Sequence, residues 1–196
     1  MQPTIPRPAP ARRELFGLAA GLALLPGAAL GRRAGGLEAR TAILVRHAEK
    51  GADDPASPGD PGLSEAGAAR AAALARTLAA AGVTHLYASP YRRTQDTLAP
   101  LAAATGADVV VYDPRELGQL AQDLRALPAG SVAVVAGHSN TTPALAGLLG
   151  GALAGLDARG FLAEDEHDRL IVQTLAAATG ESSEVSAVAT LDLRFL

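Results

Sequence analysis

Six short apolar runs alternate with Ala- and Leu-rich stretches once the chain passes residue 40, and this alternation restricts the folds open to it. The runs are "TAILV" (41–45), "THLYAS" (84–89), "DVVVYD" (108–113), "SVAVVAG" (131–137), "RLIVQTL" (169–175) and "VSAVATLDLRF" (185–195). Between the first four lie helical stretches at 64–82, 91–106 and 114–127, and another follows around 142–150. Gly82 supplies a stop signal for the first helix, Pro100 is expected to interrupt or kink the second, and Pro114 sits at the first turn of the third. Near-continuous apolar strands alternating with helices predict a sheet covered on both faces. The expected fold class is a three-layer α/β/α sandwich with a mostly parallel sheet. Its last two strands, joined without a helix, form an antiparallel edge.

The chain has 196 residues, and 48% of them are apolar but only 3% aromatic, so its core must be built from Ala, Leu and Val. A net charge of -3 with scattered arginines gives no nucleic-acid footprint. The absence of cysteine excludes disulfides, thiolate catalysis and cysteine metal sites. The first thirty residues read differently from the rest. Arg12-Arg13 precedes the apolar stretch "LFGLAAGLALL", Pro26 breaks it, and "GAALG" offers small residues to a signal peptidase. Residues 1–31 are therefore expected to be a twin-arginine-type export signal, with a flexible leader at 32–40 and the working domain at 41–196. The expected location is periplasmic or extracellular, with membrane contact only during export.

Chemistry gathers where strands end. "ILVRH" ends in Arg46 and His47, "AVVAGH" in His138, and "ASPYRRTQDT" spaces Ser89, Arg93 and Thr97 four residues apart. In a parallel sheet, ligands collect at the carboxyl ends of the strands. A single histidine after a strand is usually a structural hydrogen bonder. Two of them, one preceded by arginine, point to a shared cleft that presents a cation and a nucleophile.

The segments "LVRHAEK", "LSEAGAARAAALA", "YASPYRRTQDTLAP" and "AVVAGHSNT" occur in an order and spacing that resembles the histidine phosphatase superfamily, the phosphoglycerate-mutase-like fold. The resemblance runs from about Thr41 to Leu149. It implies that His47 is the nucleophile, that Arg46 and Arg93 hold phosphoryl oxygens, and that His138 is the second histidine of the pocket. Arg92, off the serine-x-x-x-arginine spacing, is expected at the surface. The family usually has glycine after the nucleophile, where this chain has Ala48. The chemistry supports the same roles: guanidinium forks match phosphate oxygens, and phosphoryl transfer is dominated by positioning and charge stabilisation. A neutral imidazole is nucleophilic near neutral pH without a metal or other cofactor. Asn140 stands where a helix begins, either as a substrate-facing group beside free N–H donors or simply as an N-cap.

Many relatives supply a glutamate general acid just after the third strand. Here Glu116 is the first candidate and Asp113 the second, with Glu49 a third that more readily faces solvent or pairs with Lys50. "EDEHD" (164–168) reads as a solvated loop and His85 as structural. The loops 53–61 and 150–167 are acidic; if both border the cleft, they disfavour polyanionic substrates. The expected activity is phosphate monoester hydrolysis through a phosphohistidine on His47, acting on a phosphorylated small molecule or envelope component. The competing readings are an inactive phosphate-ester binding module and a phosphoglycerate-type mutase.

Overall fold

The computed structural model describes residues 39–177 and 185–195. The export signal and most of the leader expected from the sequence lie outside the described residues.

The first strand, β1 (Arg40–Arg46), is followed by α1 (Glu65–Leu78), β2 (His85–Ala88), α2 (Arg92–Thr105), β3 (Val109–Val111), α3 (Leu117–Ala126), β4 (Val132–Gly137), α4 (Thr141–Leu148), β5 (Arg169–Ala177) and β6 (Val185–Arg194). The six strands form one sheet in the order β3-β2-β4-β1-β5-β6. β1 to β4 are mutually parallel; β5 runs antiparallel to β1, and β6 antiparallel to β5. The antiparallel edge is therefore two strands wide. This order puts the start of β5 beside the end of β1.

Successive side chains of a strand point to opposite faces, and β1 divides its apolar residues accordingly. Ala42 and Leu44 join the core beneath α3 and α4, with Leu120, Leu124, Leu145 and Leu149. Ile43 and Val45 join the core beneath α1 and α2, with Leu74, Leu78, Leu98 and Leu101. Both faces of the central strand are dry, which explains why its sequence shows no polar alternation.

Three helix boundaries differ from the sequence reading. The first helix ends at Leu78, four residues before Gly82, which instead takes the left-handed conformation of the following turn. The second runs unbroken through Pro100, whose ring removes one backbone donor but does not end the helix. The third begins at Leu117, so Pro114 lies before it in a turn, and Glu116 becomes its N-cap.

The start of α1 locks the segment that follows β1. Ser64 caps the helix by accepting from Gly67 N at 3.1 Å, while Ser64 N donates to the Glu49 carbonyl at 2.9 Å. Gly67 packs so closely on this carbonyl that a Cβ there would lie 2.2 Å from Glu49 O. Both partners are backbone, so neither can swing aside. Gly67→Ala is expected to lower stability by about 1–3 kcal/mol through overpacking, read as a lower urea midpoint with an unchanged slope.

Candidate active site

The carboxyl ends of β1, β2 and β4 open into a cleft of about 650 Å³. Arg46, His47, Arg93, His138, Asn140 and Thr141 all line it, as do Tyr91, Glu164 and His167. Parallel pairing of β1 with β4 brings the two strand ends level, with Arg46 opposite Gly137. His47 N continues the ladder by donating to Gly137 O at 2.9 Å. The two histidine rings then stand 5.3 Å apart.

The neutral ring of His47 has its tautomer fixed. Its Nδ1 lies 2.8 Å from the Ala48 carbonyl, an atom that can only accept, so Nδ1 carries the proton and Nε2 keeps the lone pair. Burial pushes its pKa down to about 3, opposed by the Ala48 bond and aided by His138, Arg46 and Arg93. The loop is held from the other side by α2: Ala48 N donates to Thr97 Oγ1 at 2.9 Å, and Thr97 Oγ1 donates to Arg93 O at 2.6 Å.

His138 is held by β2. Its Nε2 lies 2.9 Å from Ser89 Oγ, which in turn lies 2.8 Å from Thr94 Oγ1. Burial, then Arg93 and Arg46, push the pKa of His138 down to about 4. Its backbone N–H donates to Thr141 Oγ1 at 2.8 Å, tying β4 to the first turn of α4. The spacing of Ser89, Arg93 and Thr97 thus has a physical purpose. Ser89 steadies one histidine, Thr97 steadies the loop of the other, and Arg93 lies between them in sequence and lines the cleft.

Arg46 is buried, and its Nη1 donates to the carbonyls of Ala163 at 2.6 Å and Glu164 at 2.8 Å. Its Nη2 lies 3.4 Å from the Glu164 carboxylate. Arg93 lies 3.6 Å from Asp60 and stacks 4.4 Å over the Tyr91 ring. Arg46 and Arg93 therefore each face a carboxylate from a different loop.

Residues 42–116 match the Histidine phosphatase superfamily (branch 1). This stretch, under half of the chain, includes Arg46, His47, Ser89 and Arg93. No curated protein matches the chain. Among solved structures, it is similar to a SixA structure from Nakamurella multipartitia, with 26% identity, a TM-score of 0.51, and coverage of 78% of this chain and 95% of that one. It is similar in fold to the protein histidine phosphatase SixA complexed with tungstate, with 15% identity, coverage of 77% and 96%, and a TM-score of 0.55. The same holds for mycobacterial glucosyl-3-phosphoglycerate phosphatase, with 20% identity, coverage of 77% and 98%, and a TM-score of 0.53.

The structure does not bring the expected acids into the cleft. Glu116 is exposed at the start of α3 and lines a separate depression with Tyr87, Val110 and Asp123. Asp113 is held by Arg115, with side-chain contacts of 3.0 and 3.1 Å, and this pairing keeps its carboxyl below the usual range. The turn at Pro114 presents Arg115 to the cleft in place of either acid. Glu49 does not pair with Lys50: it is half-buried, and Arg70 of α1 grips it at 2.7 to 2.9 Å. Asn140 occupies the N-cap position but makes no side-chain cap bond. Arg92 is exposed and pairs with Asp54, and His85 bonds Thr84 away from the cleft.

"EDEHD" is a loop with Glu164 and Asp165 exposed, as expected, but it is tied down by its polar side chains. Glu164 faces Arg46, Glu166 pairs with Arg169 and Arg194, Asp168 pairs with Arg194, and His167 Nδ1 lies 2.8 Å from the His47 carbonyl. Read as five consecutive polar residues, the segment gave no sign of this. The pairing of β5 with β1, which the sequence does not reveal, is what brings it to the cleft.

The buried neutral state of His47 makes stability depend on pH. Its folded pKa lies below its unfolded value, so the unfolded chain binds more protons between about pH 3 and 6.5. Stability is complete above that window and falls as pH drops through it. His47→Asn should flatten the loss by up to about 1.4 kcal/mol per pH unit, measured by urea unfolding from pH 7 to 4.5.

Proposed function

We propose that this chain is a metal-independent phosphatase that hydrolyses phosphate monoesters through a phosphohistidine intermediate on His47. The observation that carries the reading is the free Nε2 of a buried, neutral His47 in a cleft that Arg46 and Arg93 also line. Nδ1 is committed to a carbonyl, so the attacking lone pair is available at one ring atom only. Arg46 and Arg93 supply donors for the equatorial phosphoryl oxygens, where charge is spread in the transition state. His138, braced by Ser89, adds a third polar group beside the reacting phosphorus.

The protein is further proposed to work after export, on the strength of its Arg12-Arg13 leader, on a phosphorylated small molecule or envelope component. The named activities of the similar structures differ, one a protein histidine phosphatase and another a glucosyl-3-phosphoglycerate phosphatase, so they do not select a substrate. Both acidic loops do border the cleft, through Asp53 and Glu164, but Lys50 and Arg115 line it too. The rim therefore carries both signs of charge and does not disfavour polyanions in the simple way expected from the loop sequences.

The test is phosphate release from p-nitrophenyl phosphate by the full chain in the presence of EDTA. His47→Ala should reduce turnover by at least ~1,000-fold, whereas Glu116→Gln should leave it within about twofold of wild type, because its carboxyl lies outside the cleft. Retained turnover in the His47 variant would overturn the mechanism. Binding of inorganic phosphate without any release by wild type would instead favour an inactive binding module.

A further inference from the structure

An alkoxide leaving group needs a proton, and the sequence-expected donors do not reach the cleft. Among the described residues, the carboxylates that line it are Asp53 and Glu164, and Glu164 serves Arg46. Three of the four histidines of the chain line it as well. His47 is the nucleophile in the proposed function, and the Nε2 of His138 is taken up by Ser89. The third is His167.

Its position is built rather than incidental. The ring centroid of His167 lies 5.6 Å from that of His47. Its Nδ1 donates to the His47 carbonyl at 2.8 Å, and because a carbonyl only accepts, the second nitrogen, Nε2, is the one left to exchange a proton. Ion pairs on both sides hold the segment: Glu166 with Arg169 and Arg194, and Asp168 with Arg194 at 2.7 Å. The titratable groups around it are the neutral His47, Glu49 (pinned by Arg70) and its chain neighbours Glu166 and Asp168. Imidazole is the side chain whose ordinary range lets it both give and take a proton near neutral pH.

We propose that His167 is the general acid and base of this site, a catalytic residue supplied by the loop before β5. The inference rests on the proposed phosphatase function. In the first step His47 Nε2 forms a bond to phosphorus, the ester P–O bond breaks, and protonated His167 passes its Nε2 proton to the departing oxygen. In the second step water attacks phosphorus and gives a proton back to His167 Nε2. The P–N bond breaks, and its electron pair returns to His47. The sum is ester plus water to alcohol plus phosphate, with both histidines restored.

The experiment compares p-nitrophenyl phosphate, whose leaving group departs without a proton, with phenyl phosphate, whose leaving group needs one. Wild type, His47→Ala, His167→Asn and His167→Gln are compared as full chains by kcat/KM, which reports events up to phosphohistidine formation. Asparagine keeps an N–H that can serve the His47 carbonyl, while glutamine places an amide near the former Nε2. In both His167 variants kcat/KM for phenyl phosphate should fall about 100-fold, while that for p-nitrophenyl phosphate stays within about threefold. Equal losses on both esters would show a purely structural role and overturn the proposal, as would no loss on either. A wild type inert on both esters, or an active His47→Ala, would remove the phosphatase reading itself, a failure distinct from loss of the His167 role alone.

Discussion

The parallel pairing of β1 with β4 is the constraint on which the site depends. Backbone hydrogen bonds set this register over six residue pairs, from Thr41 with Val132 to Arg46 with Gly137. His47 and His138 then leave the sheet at the same level, and the two rings meet without any direct bond between their side chains. A slip of one residue would exchange the two faces of β1. Leu44 would then compete for the space of Ile43 and Val45, and Arg46 would be turned away from its carbonyl partners. The hydrophobic core and the geometry of the cleft are thus specified by the same pairing.

Around this pair, the fold uses short polar side chains to steady what the strands deliver. Ser89, Thr94, Thr97, Thr141 and Thr142 are all buried, and each has hydrogen-bonding partners in or next to the site. Their bonds join α2 and α4 to the ends of β1, β2 and β4. Buried hydroxyls are costly without partners, and here the partners are the loops that carry the histidines. Burial also withholds water from His47 and His138, which keeps both rings neutral, and the two nearby guanidinium groups act in the same direction.

Much of this was legible in the sequence. The apolar runs gave the strands, the intervening stretches gave the helices, and the histidines at two strand ends marked the edge where chemistry collects. What was not legible depended on sheet order. Periodicity cannot tell which strand lies beside β1, and the placement of β5 there brings Ala163, Glu164 and His167 to the cleft from more than a hundred residues away. The acid expected after β3 failed for a local reason. Two residues of turn precede α3, so the helix starts later than the proline suggested, and Arg115 reaches the cleft where a carboxylate was sought. The grip of Arg70 on Glu49 was hidden for a similar reason, since it required knowing how the start of α1 packs on the loop after β1.

The carboxylates opposite the two arginines have a consequence for how an anion enters. Glu164 stands 3.4 Å from Arg46 and Asp60 stands 3.6 Å from Arg93, and the Glu164 side chain is largely exposed. Pairs of this kind at a surface are weak. The cleft therefore holds its own counter-ions, and under the proposed function a phosphoryl group would arrive by ion exchange instead of by neutralising bare charge. A dianion that contacts both guanidinium groups can displace both carboxylates, whereas a singly charged anion reaching one arginine displaces only one. Under the proposed function, a preference for a doubly charged, compact headgroup would thereby be set by two loop carboxylates that stand opposite the arginines.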